Sequence, residues 1–351
     1  MPSPPFFDLL NALDSLNSNE KYATFNIINT PYKKTPDGLC QIATDILIPR
    51  TLRDGNVSGQ RPVIIRIHGG FLVTGSSLYA PWFNTWILDY AIQNDAIIIS
   101  PNYRLLPEVT GNQILEDIHD LWSWIHDGSV DQVMQDAGHQ GLALNLQSIL
   151  LVGESAGGYL ATQLAISYPS QIRALIAAYP MLDLESTFYT KAFSKPIVGV
   201  PNIAESVVDK HLAMIAAMRQ NRVSCITAAN PPNRLELAFS IIQNGRFLEV
   251  FGTRRYLFPM LRIEDELKRD PSFRLPPICI LHGEQDSAVP VEGSRTFAQF
   301  VQKTMPGSEL ILHTQDGDHG FDALATLDMP WLRNGLAMIS REWLGTCNSH
   351  L

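Results

Sequence analysis

The sequence predicts an α/β protein with a mostly parallel, doubly wound sheet and an inserted helical cap. Short apolar runs rich in Ile, Val and Leu show no alternation, which is typical of strands buried on both faces of a parallel sheet. Helical patterns lie between these runs, and a β-hairpin precedes them, as in open α/β sheets. The runs are Val63–Ile67, Ala96–Ser100, Ile149–Val152, Ala174–Ala178, Ile278–Leu281 and Glu309–Leu312.

The first part of the chain predicts a helix and then the hairpin. Asp8 and Asp14 interrupt the apolar residues of an N-terminus that lacks a basic region, which indicates an amphipathic helix and not a secretory signal. Alternating runs at Ala23–Tyr32 and Cys40–Pro49 flank Thr35-Pro36-Asp37-Gly38. Pro and Gly in that stretch favour a turn.

Apolar stripes at helical spacing predict the helices between the strands. One stripe runs from Ile114 to Ile125 and is followed by Gly128, a plausible stop. Similar stripes run from Leu160 to Tyr168 and from Leu332 to Trp343. In such a fold, ligands bind beyond the carboxyl ends of the strands.

The alternation of strands and helices breaks between about Asp183 and Pro276, where the pattern turns helical and contains methionine. We therefore predict an α/β core of residues 25–185 and 275–351 and a helical cap of residues 186–274. Residues 1–24 form an N-terminal helix that is a candidate for the same cap.

Composition excludes several classes of partner. The chain has 351 residues, 45% hydrophobic and 17% charged, which favours a large buried core over disorder. Its net charge is −9, and no segment concentrates Lys or Arg, so nucleic acid and anionic membrane surfaces are not expected partners. Apolar stretches such as Ala174–Leu182 are far shorter than the ~18 residues of a membrane span.

The cysteines and the C-terminus bear on location. Cys40, Cys225, Cys279 and Cys347 are widely spaced and form no CxxC pair, which predicts a reducing compartment and neither a disulfide framework nor a zinc site. We therefore expect an intracellular, cytoplasmic protein. Ser349-His350-Leu351 resembles the Ser-Lys-Leu peroxisomal address, with an ordinary tail as the alternative.

A candidate nucleophile follows the third apolar run. The stretch Gly153-Glu154-Ser155-Ala156-Gly157 leads from a predicted strand through a tight turn into a predicted helix. Glycines in a Gly-x-Ser-x-Gly turn permit the close backbone approach that exposes the serine hydroxyl. The alternative, a serine in a purely structural turn, is weakened by this strand–turn–helix setting.

A serine nucleophile needs a base, an orienting acid and donors for the oxyanion. His319 lies in a loop after the last predicted strand, and Asp286 follows the strand before it, so the chain order is Ser155, Asp286, His319. His68-Gly69-Gly70 ends an earlier strand, where small residues let backbone N–H groups face the site. His119, His126 and His313 suit structural positions, and His350 is expected in a frayed end. Glu284, Asp316 and Asp318 remain alternative acids.

These residues together resemble the α/β-hydrolase superfamily, and more closely the hormone-sensitive-lipase-like carboxylesterases. The resemblance covers most of residues 60–345. It is carried by His68-Gly69-Gly70-Phe71, Tyr103-Arg104-Leu105-Leu106-Pro107-Glu108, Gly153 to Gly158, and Asp286 with His319. The second of these segments looks like the family's YRLAPE stretch and is the most specific.

By position, the resemblance makes Ser155 the nucleophile, His319 the base and Asp286 the orienting acid. It assigns the oxyanion hole to the backbone amides of Gly70, Phe71 and Ala156. The family usually has a third glycine where this chain has Phe71, which affects the aim of that N–H and the room for the acyl group. The acid segment, from Asp286 to Pro290, looks more like that of peptidase-type relatives.

The predicted function is hydrolysis of a carboxylic ester with an apolar acyl or alcohol part through an acyl-enzyme. No cofactor or metal is implied, and the expected partner is a small-molecule ester, with the chain a monomer or homodimer. The same three residues also serve acyltransferases, amidases such as formamidases, and lyase-like steps, and relatives of this kind occur in fungal metabolite pathways. An alternative of another class is a non-catalytic ligand receptor on the same fold.

Overall fold

The sheet is built from the predicted hairpin and apolar runs. In the computed structural model, the described residues are 4–18, 20–35, 38, 40–54, 58–218 and 225–345. Eight strands pair in the order β1-β2-β4-β3-β5-β6-β7-β8. The strands are β1 Phe25–Lys34, β2 Gln41–Pro49, β3 Gly59–Ile67, β4 Ile97–Pro101, β5 Leu142–Glu154, β6 Ala174–Ala178, β7 Ile278–Gly283 and β8 Leu310–Gln315.

Pairing within the sheet confirms the predicted mixed character. β1 pairs with β2, and β2 with β4, in antiparallel fashion, whereas the remaining neighbours are parallel. Every residue of β4, β6 and β7 is buried, as continuous apolar runs predict. β8 differs because it lies at the sheet edge, and each of its residues is partly exposed.

Helices cover both faces of the sheet, and two separate apolar clusters lie beneath them. The α-helices within the described residues are α1 Pro4–Ser15, α2 Arg50–Asp54, α3 Thr85–Gln93, α4 Gly111–His126, α5 Ser129–Asp136, α6 Ala156–Ser167, α7 Thr187–Thr190, α8 Ser206–Met218, α9 Leu235–Gln243, α10 Phe247–Phe251, α11 Pro259–Arg269, α12 Val291–Thr304 and α13 Pro330–Leu344.

Helix α4 shows how local sequence sets an element's ends. At its start, the side chain of Gln113 accepts a hydrogen bond of 3.0 Å from the backbone N–H of Thr110. At its end, Gly128 adopts the left-handed region with φ 89°, where glycine avoids the strain of a side chain. The predicted apolar stripe between these ends is buried against the sheet.

Helices α7 to α11 occupy the chain between β6 and β7, where the sequence predicts a cap. Helix α1 contacts this inter-strand helical segment, since the rings of Phe6 and Phe239 meet edge to face with centroids 6.4 Å apart. The exact division of the chain at residues 186 and 274 stays a prediction.

The cysteines correct one expectation. Cys40 and Cys225 form a disulfide with their Cα atoms 5.7 Å apart, so the prediction of no disulfide is wrong. The bond joins residues 185 positions apart, a proximity that sequence spacing does not encode. The expected reducing compartment therefore loses its support. Cys279 is free and buried, while Cys347 and the Ser349-His350-Leu351 tripeptide lie outside the described residues.

Membrane-spanning helices and metal sites are two features not expected from the sequence. Among the helices described, none is both long and apolar enough to cross a membrane. Within the same residues, no group of three or more His, Cys, Asp or Glu side chains is placed to hold a metal ion.

Candidate active site

Ser155 lies at the turn between β5 and α6, beyond the carboxyl end of a central strand. Its backbone has φ 56° and ψ −119°, a region that non-glycine residues rarely adopt. The turn depends on its glycines, because a Cβ on Gly157 would lie 1.9 Å from the carbonyl oxygen of Ile67. The sequence therefore builds a tight turn that holds Ser155 in a strained conformation.

His319 follows β8 and lies beside Asp286, which follows the neighbouring strand β7. Nδ1 of His319 is 2.8 Å from Oδ2 of Asp286. The ring of Tyr179 packs edge-on against the imidazole at a centroid distance of 4.5 Å. Burial lowers the pKa of His319, but the charge and hydrogen bond of Asp286 outweigh it and raise that pKa above 6.5.

Asp286 is held rigidly from several sides. Its Oδ1 accepts hydrogen bonds from the backbone N–H groups of Ala288 and Val289, at 2.9 and 2.7 Å. Burial opposes its charged form, but the His319 imidazole and these hydrogen bonds hold the pKa of Asp286 well below its usual range. Asp286 is therefore an ionised acceptor, and His319 donates its Nδ1 proton to it.

The other candidate acids have different partners. Asp318 accepts hydrogen bonds from the backbone and hydroxyl of Ser287. Asp316 is 3.5 Å from the side-chain nitrogen of Gln285, and Glu284 pairs with Arg295. The sequence alone left these carboxylates open, and the geometry brings only Asp286 onto His319 Nδ1 within the described residues.

His282 is a contact that sequence reasoning missed. It is fully buried, with Nδ1 2.8 Å from the Ser294 hydroxyl and Nε2 2.8 Å from the carbonyl oxygen of Val289. Nε2 also lies 3.3 Å from Oδ2 of Asp286. A carbonyl only accepts, so Nε2 of His282 carries a proton, which it donates to Val289 and also presents towards Asp286. Its position four residues before Asp286 in the sequence was the one feature that could have suggested a contact between the two side chains.

The segment after β3 approaches Ser155 from the other side. A Cβ on Gly69 would lie 3.0 Å from the Cβ of Ser155, so the two backbones are in close contact. Gly70 has φ 108° and Phe71 has φ 56°, and the N–H groups of both donate to no other residue in the described part of the chain. Ala156 begins α6, where a helical N–H has no partner within the helix.

The same loop is fixed by the inter-strand helical segment. The hydroxyl of Thr74 bonds to the carbonyl oxygens of Ala229 and Asn233 at 2.6 and 2.8 Å. Gly75 and Ala229 exchange two backbone hydrogen bonds. Loop 70–76 is therefore held by residues more than 150 positions away.

The segment from Tyr103 to Glu108 contacts residues that lie next to this loop. Tyr103 stacks on His68 with ring centroids 4.4 Å apart, and its hydroxyl donates to the His68 carbonyl. Glu108 pairs with Arg234 and His211; burial opposes its charge, but these partners lower the pKa of Glu108 to about 2. The segment that carried the strongest resemblance thus acts on the site indirectly.

Ser155, His319 and the Gly69–Phe71 backbone line one cavity of about 180 Å³. No hydrogen bond joins Ser155 to His319 in the described residues, although both face this space. Apart from these groups the wall is largely apolar. Its apolar residues are Leu9, Leu13, Leu16, Phe71, Pro81, Trp82, Val198, Leu235, Phe239, Ala288 and Ala323.

A family model described as alpha/beta hydrolase fold matches residues 64–242, just over half of the chain. The chain belongs to this family. It is therefore an enzyme of the hydrolase class, and the resemblance drawn from the sequence is confirmed. The family model spans the Ser155 turn and the loop after β3 but ends before Asp286 and His319.

Two fungal relatives and one solved structure show how far the similarity reaches. The chain is 29% identical to a probable carboxylesterase M8 of Phoma sp. over 330 residues, covering 93% of this chain and 98% of that protein. It is 31% identical to a probable carboxylesterase clz11 of Cochliobolus lunatus, covering 56% and 87%. An esterase of Pyrobaculum calidifontis shares the fold with TM-score 0.56 and 19% identity, covering 95% and 89%.

Proposed function

We propose that the chain is a serine carboxylesterase in which Ser155 attacks the ester carbonyl, His319 moves the proton and Asp286 orients His319. The observation that carries this proposal is the 2.8 Å hydrogen bond from His319 Nδ1 to Asp286. That bond fixes the tautomer in which Nε2 is the free acceptor, and His319 faces the same cavity as Ser155.

Acylation follows from this arrangement. Nε2 of His319 takes the hydroxyl proton as Ser155 Oγ bonds to the carbonyl carbon, and the imidazolium then protonates the leaving alcohol. The N–H groups of Gly70, Phe71 and Ala156 stabilise the oxyanion, since they have no other partner among the described residues. Water attacks the acyl-enzyme by the same route in reverse and releases the acid.

The substrate class is proposed from the cavity wall. Its apolar residues come from the N-terminal segment that includes α1, the loop after β3, the inter-strand helical segment and the loops after β7 and β8. Burial of an apolar acyl or alcohol group there removes its surface from water, which favours binding. The names of the two fungal relatives, both probable carboxylesterases, support ester chemistry over other uses of the same residues.

A ligand receptor without activity is less consistent with this site. A binding-only cavity has no use for the strained backbone of Ser155 or for a charged Asp286 that fixes His319. Acyltransferase, amidase and lyase-like chemistry would use the same groups, and no contact described above favours them over hydrolysis.

The test compares Ser155→Ala with Ser167→Ala, a hydroxyl at the far end of α6 outside the cavity. We expect the wild type and Ser167→Ala to hydrolyse p-nitrophenyl esters of increasing chain length and to react with a fluorophosphonate probe. Ser155→Ala should lose labelling and fall to about the uncatalysed rate, apart from residual catalysis by the remaining groups. Full labelling of Ser155→Ala would refute the assignment.

A further inference from the structure

Asn84 lies in the cavity wall at the residue preceding α3. Its side chain is only 2% exposed, yet it makes no capping hydrogen bond to that helix. The usual reason for an Asn at this position is therefore missing, and the amide is used differently.

The amide nitrogen of Asn84 is fully engaged by protein acceptors. Nδ2 donates to Oδ2 of the buried Asp322 at 2.8 Å and to the hydroxyl of Tyr179 at 3.2 Å. Trp86 Nε1 donates to the same Asp322 oxygen at 3.0 Å. Because a carboxylate oxygen accepts hydrogen bonds, these contacts fix which side of the amide carries nitrogen.

The remaining oxygen, Oδ1 of Asn84, has no partner in the part of the chain that is described. Other side-chain oxygens in the wall are accounted for: those of Glu154 bond to Arg66, the Tyr179 hydroxyl accepts from Asn84, and Ser155 is the proposed nucleophile. Oδ1 is thus a pre-oriented acceptor without a protein partner among the described residues, on a residue that is 2% exposed, in a largely apolar wall.

We infer that Asn84 Oδ1 accepts a hydrogen bond from the substrate, so the preferred esters carry a hydroxyl or N–H donor near the scissile bond. The inference rests on the proposed esterase function and refines its substrate class. An acceptor without a protein partner disfavours a purely apolar ligand, since binding such a ligand would cut Oδ1 off from water and leave it unpaired.

The test uses pairs of esters that differ only in the donor. Ethyl β-hydroxybutyrate is compared with ethyl butyrate for a donor on the acyl side, and hydroxyethyl butyrate with propyl butyrate for one on the alcohol side. We expect wild-type kcat/KM to favour the hydroxylated member of at least one pair by about tenfold, as for a site that hydrogen-bonds a substrate hydroxyl. Acid release reports hydrolysis of every ester.

Asn84→Leu should reduce that preference to near unity by slowing the hydroxylated ester. Trp86→Phe is the matched control: it also removes a donor from Asp322 Oδ2, but leaves Asn84 Oδ1 in the wall. We expect Trp86→Phe to keep the preference. The wild-type ratio alone is decisive if a variant does not fold.

Equal kcat/KM within both wild-type pairs would overturn the inference while leaving ester hydrolysis standing. So would a preference that survives in folded Asn84→Leu or disappears in folded Trp86→Phe. If the wild type hydrolyses no member of either pair, the esterase function itself is wrong, and the refinement falls with it.

Discussion

The two sides of the site around Ser155 are held in different ways. On the acid–base side, Asp286 and His319 are 33 residues apart and follow the adjacent strands β7 and β8. On the oxyanion side, Thr74 is held by Ala229, 155 residues away in the inter-strand helical segment. The acid–base side is thus positioned mainly by adjacent loops of the sheet, whereas the oxyanion side also depends on the inter-strand helical segment.

This difference predicts which substitutions should disturb each side of the site. The acid–base side is set mainly by the loops after β7 and β8, because parallel strands deliver both residues to one edge of the sheet. The inter-strand helical segment contributes there through a hydrogen bond from the Val198 N–H to the Ser287 hydroxyl. The oxyanion side needs a segment whose position depends on the disulfide at Cys225 and on the pairing of Arg234 with Glu108. Changes in the inter-strand helical segment around Ala229 and Arg234 should therefore affect oxyanion stabilisation more than the base.

The largest expected effect lies on the acid–base side. Asp286→Asn keeps the shape of the side chain but favours the wrong tautomer of His319. By analogy with the Ser-His-Asp triad of serine proteases, kcat should fall by up to ~10⁴. Asp318→Asn is the control, since its carboxylate bonds to Ser287 and not to the imidazole. Turnover of one activated ester by both variants is the measurement. Near-wild-type Asp286→Asn alongside inactive Asp318→Asn would contradict the proposed acid.

A smaller loss is expected on the oxyanion side. Thr74→Val keeps the side-chain shape but removes the bonds to Ala229 and Asn233, which should loosen the loop and lower kcat by about tenfold to a hundredfold. Thr190→Val is matched, because its hydroxyl also bonds to a backbone carbonyl but lies in α7. Equal turnover in the two variants, both folded, would show that the contacts of Thr74 do not position the loop.

The pH profile separates the two sides further. In the proposed mechanism neutral His319 is the active form, and Asp286 raises its pKa. We therefore expect kcat/KM to fall as pH drops through a midpoint above 6.5, by about tenfold for each pH unit below it. Thr74→Val should keep this midpoint. Asp286→Asn should lower it, because the charge that raises the pKa is removed. A shifted midpoint in Thr74→Val would mean that the two sides are coupled.

Much of the fold could be predicted because its signals are local. The buried strand β6 is a continuous apolar run, and the end of α4 is marked by Gly128. The Ser155 turn is likewise encoded by neighbouring glycines. In each case the residues that cause the structure lie within a few positions of it.

Other features could not be predicted because their causes are distant. The bond between Cys40 and Cys225 and the contact of Thr74 with Ala229 exist only once the inter-strand helical segment is in place. Asn84 is another example: no motif in the sequence marks it, and only the folded chain brings its amide to Asp322, 238 residues away. Sequence motifs point to the proposed reacting groups, whereas the groups that hold those residues in place are brought to them only by the fold.

Helix α1 contributes Leu9 and Leu13 to the cavity wall, and Leu16 follows directly after it, although this N-terminal segment belongs to neither the sheet nor its loops. Substitutions in these leucines can reshape the space around the substrate without disturbing the loops that carry Ser155, Asp286 and His319. Descendants of this chain could therefore diverge in substrate range through their first helix while the reaction itself stays the same. The N-terminal segment thus bears on which substrate fits the cavity, while the proposed reaction depends on residues of the core.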